Sequence, residues 1–387
     1  MTQTLLLFDV DGVLIHSRGY WHALRATVDH FAGLLGQPPV ALTDDEIAVF
    51  EVCGITSEWD SAPMCIGLML TAAVTHRPTL LADTLAATAA ALAAEPVPLP
   101  RPDFTALARR VRARLPDGAH PTATILTLLR EDADPALHPL LGELFAGTYS
   151  LSGPATRVFQ HYVLGSRRFE QTYRQPPDFD VGSALEARDS PLLSAVLSAR
   201  LLDRLAAGNS LRASIYTARP SLPPPGQAAD GALRYSPDAE IALDLLGLTG
   251  RLPLIAGGRL AWLAVGRGRG EGDYVKPSPV QALAAIGAAA CGHEVSALHA
   301  AADFHEQQAL TGPLAALAAE PARVMVFEDS WRGIEAVRHA VTRLNAAGAQ
   351  LSLEAVGIVS EPAKREPLSA VADRLASDIE EGLTPYL

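Results

Sequence analysis

LLLFDVDGVL, residues 5–14, decides how the rest of the chain is read. Four apolar residues, Leu5 to Phe8, run without interruption into Asp9, Asp11 and Gly12. A strand with one face in water alternates apolar and polar positions, whereas an unbroken run suits a strand covered on both faces in a parallel sheet. The two-residue spacing of the acids continues the strand periodicity and aims both carboxylates into one crevice. Gly12 then permits a sharp exit.

Outward from this strand the pattern changes. From Tyr20 to about Ser190, apolar residues such as Trp21, Leu24, Val28, Phe31 and Leu35 recur at helical spacing, which predicts a mostly helical stretch. Thr43 and Glu46 have capping-box spacing, and proline-rich breaks near Pro96 to Pro102 and at Pro176 to Pro177 separate helices. After Pro191 a helix through Leu205 leads to a second apolar run at Ala213 to Tyr216. Further strands are expected at Arg323 to Phe327 and Glu354 to Val359. The simplest architecture is α/β: a Rossmann-like parallel-sheet core built from residues 1–17 and 192–387, with a mainly helical domain inserted at 18–191. The stretches Pro220 to Asp230 and Gly266 to Asp273 read as loops. The second lacks true GxGxxG spacing, which argues against nucleotide binding there.

The bulk properties agree with a two-domain folded protein. A chain of 387 residues buries more than one core, and 49% of it is hydrophobic. The formal charge of -12 argues against a nucleic-acid partner, which needs a clustered basic surface. Cys53, Cys65 and Cys291 are odd in number and contain no CxxC pair, which points to free thiols in a reducing compartment. The N-terminus lacks a basic leader, and no apolar run is long enough for a bilayer. A cytoplasmic location without a membrane partner is the expectation. Only two of the 31 basic residues are lysines, Lys276 and Lys364. A lysine in such a chain marks a place where arginine does not serve.

Four short segments carry the candidate chemistry, three of them where an apolar run ends, at the carboxyl edge of a parallel sheet. The first is FDVDGVL, with Asp9 and Asp11. The second is SIYTARP, where Thr217 ends a strand and offers an anion its hydroxyl and neighbouring N–H groups. The third is VKPSP, with Lys276 just before a helix that begins with prolines. The fourth is VMVFEDSWRG, in which Glu328 and Asp329 close a strand and Ser330 can cap the next helix. Two like charges about 4 Å apart repel by roughly 4 kcal/mol at an effective dielectric near 20. Gathering Asp9, Asp11, Glu328 and Asp329 therefore calls for a cation, and hard oxygen ligands select magnesium. Singly, each segment has a plain structural reading as a turn acid, a cap or a helix-end charge. The four in order do not share one.

DxDG, a strand-terminal Thr, Lys-Pro and a strand-terminal Glu-Asp resemble the four signature motifs of the haloacid dehalogenase-like hydrolases. The likeness covers the core and only weakly the insertion. It implies a magnesium-dependent phosphatase. Asp9 would be the nucleophile that forms an aspartyl-phosphate, and Asp11 the acid that protonates the leaving oxygen and then activates water. Asp9, the backbone carbonyl of Asp11 and Asp329 would hold the Mg2+, with Glu328 assisting directly or through water. Thr217 and Lys276 would bind and stabilise the transferring phosphoryl group. Asp11 disfavours dehalogenation, which needs no acid. A phosphomutase similar to β-phosphoglucomutase and a non-catalytic phosphate-binding module are the alternatives.

The insertion stands where the family carries its cap, the domain that selects a small phosphorylated substrate, and linkers are expected near Ser17 to Gly19 and Asp189 to Pro191. In GITSEWD, the residues Gly54, Thr56 and Trp59 resemble the cap loop that contacts substrate in relatives. The equal alternative is a helix start, with Ser57 paired to Asp60 around a core Trp59. Arg157, Arg167, Arg168, Tyr173 and Arg174 read as a solvated helix face, and His293, His299 and His305 have no metal-site spacing.

Overall fold

Leu5 and Leu7 pack into one apolar cluster and Leu6 and Phe8 into another, on opposite sides of a sheet. This explains the unbroken run: each face of the first strand has its own core. The computed structural model describes residues 2–116, 119–208, 210–276, 278–359, 361 and 364–387. Contacts divide the chain into two compact units, one formed by the residues up to Ser17 together with Asp189–Leu387, the other by Arg18–Arg188.

Among the described residues the first unit contains eight strands: β1 (Gln3–Phe8), β2 (Ile15–His16), β3 (Ser190–Pro191), β4 (Leu211–Tyr216), β5 (Leu254–Ile255), β6 (Ala322–Glu328), β7 (Leu351–Ile358) and β8 (Arg374–Ala376). Six form an all-parallel sheet in the order β5-β4-β1-β6-β7-β8. The helices Pro279–Cys291, Glu294–Gln307 and Trp331–Ala346 contribute to the core on one face. Ala195–Ala206, Asp238–Leu245 and Ile379–Leu383 contribute to the core on the other. This is the expected α/β, Rossmann-like arrangement. The edge strands β5 and β8 were not anticipated, because two or three residues leave no periodicity to read. β2 and β3 pair antiparallel, Ile15 with Pro191 and His16 with Ser190, so the chain leaves and re-enters this unit through a two-residue ribbon.

The second unit is helical. Its principal helices are Gly19–Leu34, Asp44–Val52, Glu58–His76, Leu85–Ala94, Phe104–Arg114, Pro121–Asp132, His138–Phe145 and Pro154–Tyr173. Thr43 and Glu46 form the expected capping box, with each side chain bonded to the other's backbone N–H. The proline breaks fall between helices, 96–102 ahead of Phe104 and 176–177 after Tyr173. No helix among the described residues is long and apolar enough to cross a membrane.

Candidate active site

The register of the sheet brings the strand ends together. Phe8 pairs with Ile215 of β4 on one side and Phe327 of β6 on the other, so Asp9, Thr217 and Glu328 all follow or close neighbouring strands at one carboxyl edge. Asp9 is anchored by its backbone N–H to the Phe327 carbonyl at 3.0 Å. Beyond it the backbone turns tightly, with Leu14 and Ile15 donating to the Val10 carbonyl and Gly12 in the left-handed region at φ 70°. A side chain there would be strained.

Carboxylate oxygens of Asp9, Glu328 and Asp329, all buried, lie within 4.8 Å of one another. Lys276 places its Nζ 3.2 Å from Asp9 Oδ1 and 2.7 Å from Glu328 Oε2, with the Tyr216 ring 4.0 Å beneath it. One ammonium thus serves two carboxylates while resting on an aromatic face. Lys364 donates to Asp329 Oδ2. Both lysines of the chain therefore end on this cluster.

Several local devices hold these groups. Glu328 Oε1 accepts from the backbone N–H and hydroxyl of Ser330 at 3.2 and 3.1 Å, and Ser330 caps the helix Trp331–Ala346 through the Gly333 N–H. A Cβ at Gly333 would come within 2.0 Å of Glu328 Oε2, so this helix turn must be glycine for Glu328 to sit where it does. Gln281, fully buried, accepts from the Lys276 backbone N–H at 3.0 Å and donates to the Thr217 carbonyl at 2.7 Å. It ties the lysine segment to the end of β4. The adjoining Pro277, part of the quoted Lys-Pro motif, lies outside the described residues.

At Thr217 the arrangement differs from the expected set of free N–H groups. Its own N–H goes to the Ile255 carbonyl, and the Arg219 N–H goes to the Thr217 hydroxyl. The hydroxyl proton is the donor Thr217 itself can still offer an anion.

Asp11 is not a member of the three-carboxylate group. Its side chain faces Arg219, whose Nε reaches both carboxylate oxygens at 2.8 and 3.0 Å and whose Nη2 reaches Oδ1 at 2.6 Å. The same Nη2 lies 2.9 Å from Ser17 Oγ and 2.9 Å from Asp189 Oδ2, and Ser17 also donates to Asp11. The Asp11 side chain is therefore no metal ligand in this arrangement. The backbone carbonyl named by the resemblance is its route to such a role. Arg219 and Asp189 are buried, and neither was singled out from sequence although Arg219 stands in the quoted SIYTARP.

The charges are not balanced within the cluster. Burial first, then the charge of Asp9, pushes the Glu328 carboxyl well above its usual range against the pull of Lys276. Burial likewise carries Asp329 up to about 6, with Asp9 and Asp11 adding and Lys364 opposing. Burial would depress the Lys276 ammonium, yet the charges of Asp9 and Glu328 more than reverse this and hold it protonated. At Asp11 burial acts upward, but the charge and hydrogen bonds of Arg219, aided by Ser17, carry the carboxyl below its ordinary value. Asp11 is 38% exposed at its side chain, which weakens the burial effect further. Three buried hard oxygen donors within 4.8 Å of one another, two of which, Glu328 and Asp329, are pushed toward protonation by burial and by the neighbouring charge of Asp9, fit a divalent cation such as Mg2+, which would remove the repulsion.

Gly54, Thr56 and Trp59 belong to the helical unit. Gly54, at φ 86°, ends the helix Asp44–Val52, and Ser57 caps the helix that starts at Glu58 by accepting from the Trp59 N–H. This is the helix-start reading with one correction. The Asp60 N–H bonds the Ser57 carbonyl at 3.0 Å, but its side chain does not complete a capping box; the buried carboxylate accepts from Thr122 and from the Tyr149 hydroxyl, the latter at 2.6 Å. Thr56 is exposed, and Trp59 is half-buried with its ring edge-on to Tyr149. Of the group read as a solvated face, Arg157 pairs with Asp178 and Arg168 with Glu186 at the surface, but Tyr173 is buried against Phe169 and does not belong to that face.

No family model matches the sequence, and no curated protein is similar to it at a significant level. Among solved structures, matches span most of the chain. The X-ray structure of a Northeast Structural Genomics Consortium target is 14% identical, with a TM-score of 0.64 over 100% of this chain and 98% of that one. Phosphatase Tt82 from Thermococcus thioreducens is 16% identical, with a TM-score of 0.43 over 90% of this chain and 91% of its own. A hydrolase from Pseudomonas syringae is 16% identical, with a TM-score of 0.31 over 99% and 97%.

Proposed function

We propose that this α/β protein, which carries the signature motifs of the haloacid dehalogenase-like hydrolases on a Rossmann-like core, is a magnesium-dependent phosphomonoester hydrolase acting through an aspartyl-phosphate on Asp9. The observation that carries the reading is the convergence of Asp9, Glu328 and Asp329 at one sheet edge, with Lys276 bridging Asp9 and Glu328. A nucleophilic carboxylate beside a fixed ammonium and a site for a divalent cation is what in-line phosphoryl transfer requires.

In this reading Asp9 attacks phosphorus and the ester oxygen leaves with a proton from Asp11. Asp11 then removes a proton from the water that hydrolyses the phosphoenzyme. The Arg219 fork holds Asp11 as a carboxylate, the form needed in the second half-reaction, so the acid role of the first half requires release from that fork. Lys276 and the Thr217 hydroxyl meet the charge on the transferring group. Asp9, Asp329 and the Asp11 carbonyl, with Glu328 assisting directly or through water, would hold Mg2+, which would supply charge neutralisation at the phosphoryl group. The helical unit takes the family's cap role of selecting a small phosphorylated metabolite, with Gly54, Thr56 and Trp59 as its candidate substrate contacts.

The test is phosphate release from a panel of phosphorylated metabolites and an aryl phosphate. Chelation of divalent ions is expected to abolish release, and added Mg2+ to restore it. With a reactive hexose monophosphate, inorganic phosphate should accumulate in step with substrate lost. Conversion to an isomer with little phosphate released would instead make the enzyme a mutase, and metal-independent release would remove the cation from the reading.

A further inference from the structure

The chain uses arginine for every basic residue except two, and both lysines sit on the acidic cluster. Lys276 belongs to the motifs already described. Lys364 does not: it precedes the short helix Arg365–Ser369, beyond the carboxyl end of β7, and reaches across to Asp329 on β6's exit. We infer that Lys364 is a resident counter-ion of Asp329 that a divalent cation displaces, so that loading the site exchanges an ammonium for the metal. This rests on the metal reading above.

The two kinds of basic residue divide the site's carboxylates between them. Arg219 takes both oxygens of Asp11, which lies outside the three-carboxylate group, and fastens it with a planar fork. The lysines take the carboxylates inside the group, through single oxygens: Oδ1 of Asp9, Oε2 of Glu328 and Oδ2 of Asp329. A guanidinium on Asp329 would compete with an incoming cation for both oxygens, whereas an ammonium on a flexible stem occupies one. Lys364 is also 37% exposed at its side chain while Asp329 is 9% exposed. The ammonium can therefore move into water when a metal arrives, and the carboxylate stays in place. In the metal-free protein the same contact offsets the crowding of Asp329 by the Asp9 and Glu328 carboxylates, whose oxygens lie within 4.8 Å of its own.

The experiment is calorimetric titration of the metal-free, full-length protein with Mg2+, comparing wild type, Lys364→Met, Lys364→Arg and Asp329→Asn. Removal of the competing ammonium is expected to tighten Mg2+ binding about fivefold, the scale of a partly exposed ion pair. Lys364→Arg should bind more weakly than wild type, and Asp329→Asn should lose binding. The melting temperature gives a readout independent of turnover. Lys364→Met should melt below wild type without metal, and the gap should close as Mg2+ is added. Wild-type or weaker Mg2+ affinity in Lys364→Met, with binding lost in Asp329→Asn, overturns the inference and leaves the metal reading standing. Absence of saturable binding in the wild type overturns both, so the two failures are told apart by which protein shows them.

Discussion

Asp9→Asn is expected to abolish magnesium-dependent hydrolysis of an aryl phosphate, by about five orders of magnitude or more if Asp9 is the nucleophile. The substitution is nearly isosteric, and the amide does not form the phosphoenzyme. Folding should survive it, because Lys276 keeps its 2.7 Å bond to Glu328 when its 3.2 Å contact with Asp9 is lost. The measurement pairs phosphate release with a thermal melt, and a folded Asp9→Asn protein with wild-type turnover would sink the assignment. Asp11→Asn provides the contrast. An alkyl phosphate, whose leaving oxygen needs a proton, should slow more than an activated aryl phosphate, whose leaving group departs without one. Equal losses on the two substrates would remove Asp11 from the acid role.

How much of this was legible in the sequence depended on whether a feature is local. β1 could be read because an unbroken apolar run followed by acids has few other meanings, and Asp9, Thr217, Glu328 and Asp329 because each stands at the end of such a run. Lys276 was legible through its place before a proline-started helix and through the scarcity of lysine. The same scarcity pointed at Lys364, but nothing local says that residue 364 meets residue 329; only the order β1-β6-β7 places β7's exit beside β6's. Arg219 was hidden for the same reason. Its partners Asp11 and Asp189 are 208 and 30 residues away, and Ser17 is 202 away. In the helical unit the local signal at Ser57 to Asp60 was half right: the serine caps, while the aspartate is taken by Tyr149 and Thr122 from 89 and 62 residues away. Tertiary partners overrode a capping pattern that was sound on its own terms.

Arg219→Met should be among the most destabilising single changes in the sheet-bearing unit. The guanidinium side chain is 1% exposed, that of Asp189 is fully buried, and one nitrogen of the fork reaches Asp11, Ser17 and Asp189 together. Methionine restores much of the volume and none of the charge, so two carboxylates lose the cation that lay between them. Breaking a buried ion pair from one side costs about 3–5 kcal/mol, because the surviving charge is left desolvated. At roughly 2–4 °C per kcal/mol for a domain of this size, the melting temperature should fall by about 6–20 °C. Arg219→Lys keeps the charge but lacks a fork that spans three acceptors, and should fall between methionine and wild type. The decisive comparison is the double variant. Adding Asp189→Asn to Arg219→Met removes one of the two carboxylate charges the guanidinium had offset and should raise the melting temperature again, which simple loss of packing would not allow. Asp189 directly follows the helical unit in the chain and Ser17 directly precedes it. The fork that holds Asp11 therefore also fastens both chain crossings, and a melt of Arg219→Met that matches wild type would show that the ribbon of β2 and β3 holds them without it.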